Sequence, residues 1–236
     1  ISHSRKWSIL IVVTLVGFIT NLDSTIVVIG LPKIMEGLNI TIVTGLLVIT
    51  GYIISNSVFL LPAGNLADKL GTKPIFLLGL IIFTVSTIFC GIANSGFTLI
   101  IFRLIQGAGA ALSVSTATPT IVRTFPKEQL GFALGINATS GVIGFVAGPV
   151  AGGALISQFG WRSIFFITVP FLIICIVGAF LVMENTDVNI KSKIDWSGVL
   201  SFGFGLVALM IALSIGQSFG WLSVPTIGSF IAAVLL

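Results

Sequence analysis

The stretch FITNLDSTIVVIGLP, residues Phe18 to Pro32, lies inside a long apolar run and carries an aspartate, Asp23, well away from either end. A charged group at bilayer depth is expensive, and such residues usually face a bundle interior or a water-filled cavity. Asp23 therefore needs a partner or a proton. Either requirement points to ion or proton handling.

The composition around this stretch is that of a membrane protein. Of 236 residues, 56% are hydrophobic and 8% charged. No soluble domain hides that much apolar surface, whereas a bilayer accepts it. Cys90 and Cys175 both fall within apolar runs, so no structural disulfide is expected. The opening span is followed by no small-residue cleavage site and does not read as a signal peptide. The chain begins on Ile1, and its last apolar run stops at Leu236, short of the roughly 20 residues a span needs. An incomplete chain is the expectation.

Apolar runs bounded by charges, Pro and Gly predict spans at Ser8–Leu31, Ile42–Gly64, Ile75–Ala93, Phe97–Pro119, Phe132–Ser157, Ser163–Met183 and Trp196–Ile215, with a partial span after Val224. These runs are too long and too uniformly apolar for barrel strands, so they read as helices. One side of the membrane would hold Arg5, Lys6, Lys69, Lys73, Arg123, Lys127, Lys191 and Lys193, and the other only Lys33 and Arg162. The positive-inside rule places the first group, and the N-terminus with it, in the cytoplasm. Trp7 and Trp161 fall at the expected interfaces, where aromatic anchors concentrate.

Arg103 is the second charge inside a span. Counting from the outer span ends at Leu31 and Phe97, Asp23 and Arg103 lie at depths of roughly 12 Å and roughly 9 Å, close enough to meet. A static packing pair is the plainer alternative, but buried pairs are weak evidence for stability and a functional role is favoured. The segment Gly64 to Lys73, GNLADKLGTK, reads as a tight hairpin. In it Gly64 and Gly71 suit a tight turn and close helix approach, and Asp68 and Lys69 are placed to cap helix ends and form inter-helix ion pairs, with a solvated hydrophilic turn as the equal alternative. Gly144, Gly148 and Gly152 recur every fourth residue, which strips side chains from one helix face so that another backbone approaches. Pro149 should loosen that helix, and Gly153 follows in the same run. Asn21, Thr25, Tyr52, Asn56, Gln106, Asn137 and Thr139 are polar at membrane depth and stand as cavity-lining or helix-bridging candidates.

Enzyme chemistry is not encoded. The chain contains no Walker A sequence, no H-E-x-x-H and no G-x-S-x-G, and its single histidine is His3. No catalytic residue, metal site, cofactor or nucleic-acid partner is expected.

These motifs in this order resemble the major facilitator superfamily, and within it the fourteen-helix drug:proton antiporters. Gly64–Lys73 resembles the superfamily signature between helices two and three. Arg103–Ala111 resembles the helix-four signature, Gly144–Gly153 the antiporter signature of helix five, and Leu22–Val27 closing at Leu31-Pro32 the helix-one signature of the fourteen-helix branch. Gly160-Trp161-Arg162 with Phe165, Phe166 and Pro170 is similar to that branch's entry to helix six. Asp195–Gly198 and Gly216–Trp221 are similar to its inserted helix pair. Thr72, Val28, Gly30, Ser163 and Thr168 depart from the family pattern.

The resemblance implies an all-α membrane protein with a six-helix N-terminal bundle over 1–183, a cytoplasmic linker over 184–195, and a truncated inserted pair over 196–236. The C-terminal bundle would lie outside this chain. It implies proton-coupled efflux of drugs or other lipophilic or cationic compounds across the plasma membrane by alternating access. The alternatives are export of a lipid, a metabolite or a single antibiotic, or a non-transporting sensor or scaffold of the same fold. Asp23 would be the proton-coupling acid and Arg103 its partner. Asp68, Lys69 and Lys73 would close a cytoplasmic gate, and Gly148 and Pro149 would bend helix five against the opposite bundle. The implied partners are the bilayer, a small-molecule substrate, protons and the missing bundle.

Overall fold

The computed structural model describes residues 3–184, 196–221 and 223–235. Among them the chain is helical, with no strand. In order come α1 (His3–Leu38), α2 (Ile42–Leu70), α3 (Thr72–Ile92), α4 (Gly96–Thr124), α5 (Lys127–Phe159), α6 (Ser163–Phe166), α7 (Val169–Val182), α8 (Trp196–Phe219) and α9 (Val224–Leu235). Six described spans are long and apolar enough to cross a membrane, with α6 and α7 counted together as Ser163–Val182. The chain is a multi-pass α-helical membrane protein. It divides into two compact units, Ile1–Ser192 and Lys193–Leu236. Of the expected linker only Glu184 is described; Lys191, Lys193 and Asp195 lie outside the described residues.

The helices outrun the apolar stretches that announce them, because they stop at capping signals rather than where hydrophobicity ends. Thr41 opens α2 by accepting from the Thr44 N–H at 3.3 Å. Ser95 and Thr98 form a reciprocal capping box at the start of α4. The expected two-glycine hairpin is a sharper corner than its sequence suggests. Gly64 stays helical in open space, and α2 continues to Leu70. Gly71 alone makes the turn, at φ 95°, where an L side chain is strained. The sixth span breaks between α6 and α7, because Pro170, in the first turn of α7, has no N–H to carry the helical ladder across.

In the first unit α1 packs along α5, α2 and α3 pack along α4, and α7 lies against α1 and α3. The buried core falls into two clusters. One contains Val13, Val16, Ile19, Phe76, Leu80, Phe83, Ala110 and Leu172. The other contains Ile26, Val27, Val48, Cys90, Leu99, Ile164 and Phe165. The first stops on α1 at Ile19 and on α3 at Phe83, and the second resumes at Ile26 and Cys90. The gap between them is filled by polar side chains.

Candidate functional site

That polar layer is built from four helices. Asp23 on α1 and Arg103 on α4 are both wholly buried. Arg103 Nη1 donates to Asp23 Oδ2 at 2.7 Å and to Gln106 Oε1 at 2.6 Å. Gln106, one turn along α4, donates from Nε2 to Asp23 Oδ1 at 3.1 Å and to Thr87 Oγ1 of α3 at 2.7 Å. Arg103 Nε donates to the Val48 carbonyl of α2 at 3.3 Å, and the guanidinium carbon lies 4.2 Å from the centre of the Tyr52 ring. Charge-assisted bonds of this length are the strong class. Arg103 Nη2 nevertheless has no hydrogen-bond acceptor among the described residues, so the layer is not fully satisfied.

The opposite face of α1 is held by α5. A Cβ placed on Gly144 would run into the Phe18 carbonyl, and one on Gly148 into Thr25 Oγ1. One on Gly152 would lie 2.8 Å from Ile26 Cγ1. The glycine face therefore seats α5 on the turns of α1 that bracket Asp23, within this bundle. Pro149 and Gly153 fall on the exposed side of α5, and a Cβ on Gly153 would touch nothing within 4 Å.

Between α1, α4 and α5 lies a cleft of about 420 Å³, within the range of small-molecule sites. Of the expected cavity residues, Asn21 and Asn137 line it, together with Thr118, Gly17, Gly141 and Phe145. The others lie elsewhere. Tyr52 and Gln106 belong to the ion-pair layer. Thr25 is buried beneath Gly148 and bonds the Asn21 carbonyl of its own helix at 3.1 Å. Asn56 is half-buried on α2, beside Gly107 of α4, and Thr139 lies in a shallow surface dent on α5.

The hairpin charges behave differently from one another. Among the described residues neither Asp68 nor Lys69 has an ion-pair partner. Lys73 instead donates to the Phe180 carbonyl at 2.9 Å, in the last turn of α7. Arg5 donates to the Val182 carbonyl at 2.9 Å and pairs with Glu184 at 2.5 Å. Two cations from distant segments thus meet the negative end of one helix dipole. Sequence reasoning missed this clamp, and it missed Thr87. No spacing signal marks Thr87, which also bonds the Phe83 carbonyl of its own helix at 2.6 Å like any hydroxyl in an apolar helix.

A family profile described as Major Facilitator Superfamily matches residues 13–236. The chain is 38% identical over 205 residues, 86% of its length, to an MFS-type transporter of Mycobacterium tuberculosis, Rv1250, of which it covers 35%. It is 32% identical over 236 residues, 99% of its length, to the tetracenomycin C resistance and export protein of Streptomyces glaucescens, of which it covers 44%. The chain therefore spans less than half the length of these relatives. Among solved structures, an inward-facing, unoccupied bacterial homologue of the human lysosomal transporter Spinster matches with a TM-score of 0.70 and 20% identity. That match covers 100% of this chain and 60% of the other.

Proposed function

Because this chain belongs to the major facilitator superfamily of membrane transporters, we propose that it is the N-terminal bundle, with the start of the inserted helix pair, of a proton-coupled exporter of drugs or other lipophilic or cationic compounds. It works by alternating access in the plasma membrane, with its N-terminus in the cytoplasm. The observation that carries this reading is the wholly buried Asp23–Arg103 pair, set in the layer that divides the core. Protonating Asp23 leaves Arg103 as a buried cation without a counter-charge, which costs several kcal/mol in a dry interior. A state that hydrates Arg103 then gains on the dry one by that difference, and the bundle changes face. Losing the proton restores the pair. Asn21 lies half a turn from Asp23 on α1 and lines the cleft, so a movement of α1 links proton and substrate.

The test is made in inside-out vesicles containing the full transporter under an imposed proton gradient, with lumenal pH followed on adding lipophilic compounds. Wild type releases protons on substrate addition, whereas Asp23→Asn does not. Coupling that survives in Asp23→Asn removes the acid from the mechanism.

A further inference from the structure

The cleft between α1, α4 and α5 is lined by Val13, Val16, Val114, Ala117, Ala138, Val142 and Phe145 besides its polar members, and none of its lining residues is an acid or a base. Its two carboxamides are set reciprocally. Asn21 of α1 lies over Gly141 of α5, its Nδ2 3.2 Å from where a Cβ there would stand. Asn137 of α5 lies over Gly17 of α1, its Oδ1 3.8 Å from the equivalent point. Each asparagine is one helical turn from the glycine that receives the other, so the glycines open room and the amides fill its two ends. Asn21 Nδ2 donates to the Gly17 carbonyl at 2.8 Å. Its Oδ1, and the whole side-chain amide of Asn137, make no hydrogen bond among the described residues.

We propose that this cleft binds a neutral, largely apolar molecule whose carbonyl and hydroxyl groups pair with Asn21 and Asn137, and that it discriminates against cations. The inference rests on the transport reading above and names its substrate class. A cation that meets the wall of Val, Ala and Phe supplied by this chain finds no carboxylate there to offset its lost hydration. Asp23 is the acid nearest the cleft along α1, but it is wholly buried and both its oxygens are engaged by Arg103 and Gln106. A neutral ligand meets no such penalty. One lacking polar groups leaves the amides unpaired, which selects for molecules that carry them.

The test titrates the purified full transporter by equilibrium dialysis with two radiolabelled probes. Chloramphenicol is neutral and carries amide and hydroxyl groups; tetraphenylphosphonium is a permanent cation without any. The expected result is saturable chloramphenicol binding, weakened about tenfold by Asn137→Leu and by Asn21→Leu, with much weaker tetraphenylphosphonium binding. Asn137→Asp supplies the missing carboxylate and should tighten tetraphenylphosphonium binding about tenfold, a gain that misfolding cannot imitate. The proposal is overturned if tetraphenylphosphonium binds wild type as tightly as chloramphenicol, if chloramphenicol does not bind, or if neither Leu variant weakens it. The same probes in inside-out vesicles separate the two readings. Binding without gradient-driven uptake overturns transport and leaves the ligand class standing, whereas uptake of the cation alone overturns the ligand class and leaves transport standing.

Discussion

Arg103 ties four helices of the first unit together. It joins α4 to α1 through Asp23, to α2 through Val48 and Tyr52, and to α3 indirectly through Gln106 and Thr87. A buried pair contributes little net stability, but removing one member leaves the other charge uncompensated. Arg103→Ala should therefore lower stability by about 3–5 kcal/mol, while the double change Asp23→Leu with Arg103→Met should fold almost as well as wild type. Thermal unfolding of the purified protein in detergent checks both. A double variant as unstable as Arg103→Ala would mean that the pair is a net stabiliser. The two charges were legible in the sequence because nothing else ionisable shares their depth. Gln106 was legible only as a polar residue of uncertain direction, and its role as a second donor to Asp23 depends on which way α4 is rotated. Thr87 could not be singled out among Thr84, Ser86 and Thr87, all of which bond carbonyls of their own helix.

At the scale of elements, α1 is gripped on two sides, by the polar layer and by α5. The repeating glycines announced a close helix contact, and the structure supplies the partner that a period alone cannot name. Gly148→Val should separate α1 from α5 by meeting Thr25 Oγ1 and the backbone at Leu22 and Ile26. Overpacking of this kind costs about 1–3 kcal/mol. Gly153→Ala, five residues on, meets nothing within 4 Å and should leave the melting temperature unchanged or slightly raised. Equal losses for the two variants would rule out the packing account. The hairpin was the least legible element. Its charges and glycines suggested a loop, yet residues 65–70 carry neither proline nor glycine and Gly64 stays helical, so α2 runs on until Gly71 turns it.

For the whole molecule, one end gathers the basic residues. Arg5 and Lys73 meet the end of α7, and Lys6 bonds Gln129 Oε1 of α5 at 2.6 Å. The other end carries Lys33 paired with Glu36, and Arg162 donating to the Ala93 carbonyl. Cys90 and Cys175 are both buried, so neither competes with an introduced cysteine for a surface label. In intact cells a membrane-impermeant maleimide should label Lys33→Cys and spare Lys127→Cys; labelling at Lys127→Cys would invert the topology. The six spans of the first unit were legible because the bilayer fixes the length of an apolar helix, whereas the sidedness that the basic residues imply is what the maleimide reads. The packing order α5–α1 and α2–α4–α3 was not, since apolar helices carry no address for their neighbours. The polar layer across the core has one more consequence, for how the protein tolerates change. Residues on its two sides share few partners, so each compartment should accumulate substitutions on its own account. Leu80→Ala and Phe165→Ala, one from each compartment, should combine additively to within about 0.5 kcal/mol, whereas Leu80→Ala with Phe83→Ala should not. A lineage of such proteins can therefore reshape one half of its interior while the other stands still, provided the charged partition between them is kept.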